Sequence, residues 1–210
     1  MWLLLQLADS AFPSGGFAHS GGLEAAVQLG LAGDVVAFIE SAIWQTAQLS
    51  LPLARFGYTE PAAADALAEA ALLGHVARRA SRAQGRAFVA ACARAFPEAA
   101  PLDAAVRDGT LRGHLAPLQG AVAAALGVSI EDAEVLVLHT TLRGLLSAAV
   151  RLGRLGPLEA QATHRALAPT LEAARVAGRA VGLDDIGQTA PLADLAIGLH
   201  DRLYSRLFQS

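Results

Sequence analysis

The sequence contains one cysteine, Cys92, among 210 residues. A single thiol cannot close a disulfide within the chain, so we expect a reducing compartment, the cytoplasm. The start of the chain has no basic stretch before the apolar residues 2–5, and Asp9 follows soon after. This pattern differs from that of a secretory signal peptide.

Charged residues are also scarce. They make up 17% of the chain with a net charge of −3, whereas about 25% is usual in a soluble domain. Without a basic excess, a nucleic-acid partner is not expected. Every apolar stretch is interrupted by Arg, His, Asp or Glu before it reaches about 18 residues, the length a membrane helix needs, so no membrane span is predicted.

Aromatic residues account for only 5% of the chain, and runs of β-branched residues are rare. Alanine and leucine dominate the apolar 54%, and both are good helix formers. The composition therefore predicts an all-α protein. The length favours one domain spanning residues 1–210, built as a bundle of roughly eight to ten helices.

Local signals place the helix boundaries. Asp34 and Ser129 are suited to N-cap positions, where a side-chain oxygen accepts bonds from the first helical N–H groups. Pro52 is expected to end or kink the helix that follows Asp34. Pro97 and Pro101 are expected to bound a loop. The apolar segment 130–152 is the longest, which predicts the central helix of the bundle.

The N-terminal segment, residues 1–22, ends in a glycine-rich turn that is unusual for a helical chain. Glycine permits positive φ and close backbone approach at an entropic cost, so a structural role is expected for the turn. We expect Phe17 to pack inward, and His19 and Ser20 to satisfy buried polar groups or cap the next helix. We also expect Gly16→Val to disturb folding or assembly. The candidate turn residues are Pro13, Gly15, Gly16, Phe17, His19, Ser20, Gly22 and Glu24.

Two chemical interpretations of the turn remain open. It lacks the lysine of a phosphate-binding P-loop, but the N–H groups of residues 20–23 at a helix start could attract an anion. The stretch 18–22 also resembles a nucleophile elbow, which would make Ser20 the nucleophile of a small hydrolase. That motif requires a strand before it and a parallel sheet around it.

The histidines give no local metal motif. None of the six lies at a ligand spacing such as H-x-x-x-H, although distant residues could still meet in the fold. No metal or cofactor bound by this chain itself is therefore predicted. A helical metal-binding protein that uses His19 or His200 stays as an alternative.

The segment 191–210 is predicted to form a final amphipathic helix through Leu192, Leu195, Leu199 and Leu203. Its end is rich in apolar and arginine residues, although chain ends are usually polar and frayed. Such residues are typical anchors at interfaces. The alternative is a helix docked on the chain's own core. The candidate partner-binding residues are Arg202, Tyr204, Ser205, Arg206, Leu207 and Phe208.

Four stretches together resemble one known family. Residues 4–24 (LLQLADSAFPSGGFAHSGGLE) and 204–210 (YSRLFQS) are similar to the N-terminal and C-terminal signatures of the UreF family of urease accessory proteins. Residues 147–156 and the GQTAP stretch at 187–191 are similar in order and spacing. The resemblance spans essentially the whole chain.

The resemblance implies a function and partners. Members of this family are all-α, non-enzymatic chaperones for nickel insertion into urease. They form homodimers, bind the accessory protein UreD (also called UreH) and the GTPase UreG, and dock on apo-urease. Nickel and GTP would be handled by that complex and not by this chain alone. The C-terminal residues would then contact a partner.

Overall fold

The computed structural model describes residues 1–210 and contains helices and turns but no strand. The all-α prediction is confirmed, with twelve α-helical segments where eight to ten were expected. They are α1 Trp2–Ala8, α2 Leu23–Gln28, α3 Val35–Gln45, α4 Leu51–Thr59, α5 Pro61–Ala71, α6 His75–Ala95, α7 Ala100–Arg107, α8 Leu115–Ala125, α9 Ile130–Arg151, α10 Pro157–Ala166, α11 Ala168–Arg179 and α12 Pro191–Leu199.

Both predicted N-caps are confirmed. The Asp34 carboxylate accepts the N–H groups of Val36 and Ala37 at 2.8 and 3.3 Å, which starts α3. The Ser129 hydroxyl accepts the Asp132 N–H at 3.2 Å and starts α9. These side chains satisfy donors that have no partner within their helices.

The three prolines that were expected to interrupt helices lie inside first turns instead. Pro52 lies in the first turn of α4, and the regular bonding of α3 gives way to a π-helical turn, Thr46–Ser50, directly before it. Pro97 opens a 3₁₀ turn and Pro101 lies at the start of α7, so the predicted loop is helical. At Pro97, which follows the extended residue Phe96, the N–H that proline lacks is not needed.

The central helix is α9, as predicted. One side of it packs in a core of 24 buried residues formed with α2, α3, α11 and α12. Its Leu136 belongs to a second core of ten residues, formed mainly by α6 and α8. By length and composition α9 could cross a membrane, but 56% of its apolar window is buried inside the protein, as in the core helix of a helical bundle.

A buried carboxylate ties α9 to two neighbouring helices. Glu134 is almost inaccessible and forms ion pairs with Arg55 of α4 and with Arg175 and Arg179 of α11, the last at 2.7 Å. A buried charge is tolerated when it is paired and hydrogen-bonded.

The last part of the chain differs from its prediction. Helix α12 ends at Leu199, a 3₁₀ turn covers His200–Arg202, and residues 203–210 are not helical. The predicted helix over 191–210 is therefore too long. The backbone N–H groups of Leu207 and Phe208 donate to the Glu24 side chain, and that of Gln209 donates to Ala18 O, so they are not available for helical bonds.

Candidate functional site

The two unusual stretches of the sequence contact each other. The Ser20 N–H donates to Ser210 O at 2.6 Å, and the Gln209 N–H donates to Ala18 O at 2.8 Å. The Ser20 hydroxyl donates to the same Ser210 oxygen at 2.8 Å, and His19 Nδ1 lies 2.6 Å from Ser210 Oγ. We call this contact between residues 17–24 and 200–210 the clasp.

A buried carboxylate, that of Glu24 in α2, lies at the centre of the clasp. It is only 1% exposed and accepts the N–H groups of Leu207 at 2.6 Å and Phe208 at 3.2 Å. The His200 ring, with no exposed surface, places Nε2 at 3.1 Å from the same carboxylate, and Gln28 adds a longer bond. Burying a carboxylate without hydrogen-bond donors is costly. Glu24 can therefore be buried stably only when residues 207–208 are in place to donate to it.

The Arg151 guanidinium, at the end of α9, lies between two aromatic rings of the clasp. Its Cζ is 3.8 Å from the Phe17 ring centroid and 4.1 Å from that of Phe208. Its Nη1 also donates to the Phe17 carbonyl. A guanidinium over a ring face is attracted by the π electrons, so Arg151 links both halves of the clasp to the central helix.

Asp201 anchors the clasp to α6. Its carboxylate receives a two-bond contact from Arg79, at 2.7 and 2.8 Å, and further contacts from His75 and Arg206, both at 3.3 Å. The Arg79 hydrogen bonds lower the pKa of Asp201 to about 2, so it remains ionised across the neutral range.

The six predicted partner-binding residues divide between surface and core. Tyr204 is fully exposed, Leu207 is about half exposed, and Arg202, Ser205 and Arg206 are also at the surface. Phe208 is 5% exposed and belongs to the chain's own core, which corrects its assignment as a contact that fills a partner's pocket. Its backbone bonds to Glu24 and its ring contact with Arg151 turn it inward.

Phe17 shows the opposite correction. It was expected to pack inward, but 71% of its surface is exposed, and its ring lies against the Arg151 guanidinium. His19 and Ser20 do satisfy buried polar groups, as expected. The Ser20 hydroxyl also accepts the Glu24 N–H at 3.3 Å, within the first turn of α2.

The strict glycine requirement falls on Gly22 and not on Gly16. Gly22 has φ of +86°, and a Cβ there would lie 2.7 Å from Ile197 Cγ1 of α12. At Gly16 a Cβ would meet nothing closer than 3.8 Å, and its φ is not positive. The expectation that Gly16→Val disturbs folding through a close approach is therefore not supported. Pro13 is exposed, and Gly15 adopts φ of +74° beside Ala87.

The Ser20 hydrolase interpretation does not match the structure. A helix, α1, and not a strand precedes the turn, and the chain contains no sheet. Ser20 is 1% exposed, and its hydroxyl donates to a backbone carbonyl instead of a base. A nucleophile elbow requires a strand before the turn, a surrounding sheet and an exposed serine hydroxyl bonded to a base.

The histidines include one pair that the sequence spacing did not reveal. The rings of His139 on α9 and His164 on α10 are 5.5 Å apart between centroids. No group of three or more His, Cys, Asp or Glu side chains is placed to hold a metal ion.

A cavity of about 490 Å³ lies beneath the glycine turn, between α6, α8 and α9. Its lining is mostly apolar, with polar contributions that include Gln119, Thr140 and Arg143. The Arg143 guanidinium donates to the Ala8 carbonyl, and burial lowers its pKa. No local sequence pattern indicates this cavity, because its walls come from helices far apart in the chain.

Arg151, which contacts the clasp, and Asp201 and Ser210 within it have roles that no local pattern indicated. Their roles depend on partners more than 100 positions away. A helical bundle whose two unusual segments bond to each other, with exposed tyrosine and leucine beside them, has the features of a helical interaction protein.

Comparison with known proteins identifies the family. The UreF family model matches residues 31–168. The chain is 36% identical over 228 residues to urease accessory protein F of Arabidopsis thaliana, covering 100% of this chain and 92% of that protein. It is 33% identical over 220 residues to urease accessory protein F of Oryza sativa subsp. indica, covering 99% and 84%. It is 34% identical over 233 residues to UreF of Rhodopseudomonas palustris, covering 100% and 91%. The chain belongs to the UreF family of urease accessory proteins.

Proposed function

We propose that this chain is a non-catalytic chaperone for nickel insertion into apo-urease. It acts in the cytoplasm as a homodimer, holds UreD (UreH) and the GTPase UreG on apo-urease, and modulates GTP-dependent nickel delivery. The observation that carries the proposal is the similarity to urease accessory proteins over 99–100% of the chain. In this role the complex delivers nickel and hydrolyses GTP.

The outer face of the clasp is the proposed contact for the accessory partners. Tyr204 and Leu207 have exposed side chains, and Glu24 holds the backbone of the segment through the N–H groups of Leu207 and Phe208. Arg206 and Arg202 lie beside them and supply donors for a partner's acceptors. An exposed aromatic ring on a fixed backbone loses little conformational freedom on binding, which suits an interface anchor.

The test distinguishes a direct contribution of the exposed side chains to partner binding from an effect on the folding of the clasp. Deleting residues 203–210 would also remove Phe208 from the core and two donors from Glu24, so point substitutions are sharper. We expect the double substitution Tyr204→Ser and Leu207→Ser to keep the thermal unfolding temperature within a few degrees. The same substitution should weaken co-purification of UreD and UreG at least about tenfold. Leu158→Ser, at an exposed leucine of α10, is the matched control.

The functional readout is activation of apo-urease in a reconstituted system with UreD, UreG, nickel and GTP. Loss of activation on omitting this chain supports the chaperone role. Unchanged partner binding by the double variant, with activation intact, would place the contact elsewhere on the surface. Activation that proceeds equally well without the chain would overturn the proposed function itself.

A further inference from the structure

An arginine of the central helix has no acidic partner. Arg143, on α9, is half-buried and lines the cavity beneath the glycine turn. None of the chain's ion pairs includes it. Asp9 acts on it through space, but that carboxylate is exposed and accepts the Ala11 N–H at 2.7 Å. By contrast, Arg175 pairs directly with Glu134. Arg143 is therefore a partly buried cation that no carboxylate of the chain contacts.

Most of the hydrogen-bonding capacity of Arg143 is unused within the chain. A guanidinium carries several N–H donors, and here only Nη1 donates, to the Ala8 carbonyl. This bond holds the guanidinium beside the end of α1. Burial lowers the pKa of Arg143, because the charged form is less well solvated inside the protein than in water. An anion that accepts from the remaining donors would offset part of that desolvation.

The charged side chains that line the cavity are of one sign. Arg143 and Arg151, about two turns apart on α9, both line it, and no aspartate or glutamate does. Ser147 lies between them on the same helix and adds a hydroxyl that can donate. His19 also lines the cavity, and burial lowers its pKa, which favours the neutral ring. A cavity with this lining attracts negative charge.

The remaining wall suits an apolar chain. Leu7 and Phe88 line the cavity and belong to the second core. Leu7 directly precedes Ala8, the residue to which Arg143 donates, so an apolar wall adjoins the guanidinium. Phe17, which is 71% exposed, also lines the cavity, so a ligand can enter from solvent beside the glycine turn. The volume of about 490 Å³ is within the usual range for ligand sites.

We propose that the cavity binds a small carboxylate with an apolar chain, whose head group accepts hydrogen bonds from the Arg143 guanidinium. A carboxylate suits this donor because its two oxygens match two parallel N–H groups. Its single negative charge matches the one guanidinium in the cavity whose donors are mostly unused. Arg151, held between two aromatic rings, adds attraction from the far end of the same helix face. The apolar chain lies along Leu7 and Phe88 and removes its own surface from water. This site goes beyond the proposed function and involves no catalysis.

The first test compares ligands on the unaltered, full-length protein. Titration calorimetry with octanoate at neutral pH should show saturable binding of one equivalent. Octan-1-ol has the same chain without the charge and should bind at least about tenfold more weakly. Acetate has the charge without the chain and should also bind at least about tenfold more weakly. Nuclear Overhauser contacts from ¹³C-labelled octanoate to the Phe88 ring should locate the ligand in the cavity.

The second test changes the head-group contact. Arg143→Met keeps the apolar stem but removes the charge, so it should weaken octanoate binding at least about tenfold and leave octan-1-ol binding unchanged. Arg143→Lys keeps the charge without the paired donors and should weaken octanoate binding less than methionine does. Arg154→Met, at an exposed arginine just after α9, is the matched control and should bind octanoate like the unaltered chain. Circular dichroism checks that each variant is folded.

Two results would overturn the proposal, and neither requires a variant to fold. One is equal affinity of the unaltered protein for octanoate and octan-1-ol. The other is the absence of saturable octanoate binding below about 1 mM. Activation of apo-urease is measured separately and without octanoate, so a failure there would concern the proposed function alone.

Discussion

The Glu24 carboxylate accepts the backbone N–H of Leu207 at 2.6 Å, across 183 positions of sequence. This bond sets the path of the final segment, because a buried carboxylate requires donors and Leu207 and Phe208 supply two of them. The residues with exposed side chains, Tyr204 and Leu207, are presented outward as a result.

Glu24→Gln should destabilise the chain. The amide keeps the volume but removes the charge and one of the two acceptor oxygens that serve Leu207, Phe208 and His200. We expect a loss of about 2 to 3 kcal/mol, measured by chemical denaturation. Glu60→Gln, at an exposed glutamate without a side-chain hydrogen bond, should change stability by less than about 0.5 kcal/mol. Equal effects of the two substitutions would contradict the role assigned to Glu24.

Gly22→Ala should be more damaging than the same change at Gly30. Both positions have positive φ, but only Gly22 also lacks space for a Cβ, because of Ile197. Gly30→Ala should cost about 1 kcal/mol from backbone strain alone. Gly22→Ala should cost about 2 to 4 kcal/mol, since overpacking adds to the strain. Gly16→Ala should be near neutral. Thermal unfolding of the three variants checks this order.

Arg151→Lys should loosen the clasp although it preserves the charge. Lysine cannot place a flat guanidinium between the Phe17 and Phe208 rings while also donating to the Phe17 carbonyl. We expect a loss of about 1 to 2 kcal/mol. Hydrogen exchange should quicken at the Ser20 and Gln209 amides. The exposed Arg154 provides the comparison, and Arg154→Lys should leave both amides protected.

Stability should fall as the pH drops below 6.5. Burial is the main cause that lowers the pKa of His19, His114 and His139 from 6.5 in the folded chain. Below that pH the unfolded chain binds protons that the folded chain does not, so acid favours unfolding. The unfolding temperature should be lower at pH 5.5 than at pH 7.5, and His139→Gln should reduce the difference. A temperature that is constant between these two pH values would refute the prediction.

Local chemistry in the sequence predicted much of the fold. Alanine and leucine content indicated an all-α chain, and Asp34 and Ser129 begin α3 and α9 as their N-cap chemistry requires. The loop predicted between Pro97 and Pro101 was wrong, because a proline that follows one helix and a proline that starts the next look alike in the sequence. The π turn directly before Pro52 was not predicted, although a proline removes one i→i−4 bond and so disturbs the regular helix before it.

The clasp could be predicted only in part. Its two halves were recognisable as unusual, but their contact joins positions near opposite ends of the chain, and periodicity carries no information at that range. The orientations of Phe17 and Phe208 were therefore interchanged. Phe208 is buried because it packs in the main core and its N–H is bonded to Glu24, and both contacts are known only once the helices are packed.

The clasp also has a consequence for biosynthesis. Translation at about 5 to 20 residues per second separates Glu24 from Leu207 by roughly 10 to 40 s. During that interval α2 exists without the donors that allow its carboxylate to be buried, so it cannot dock stably against the central helix. The nascent chain therefore lacks these contacts with its glycine turn until residues 207–208 emerge, and a chain interrupted before them would leave Glu24 without two of its donors.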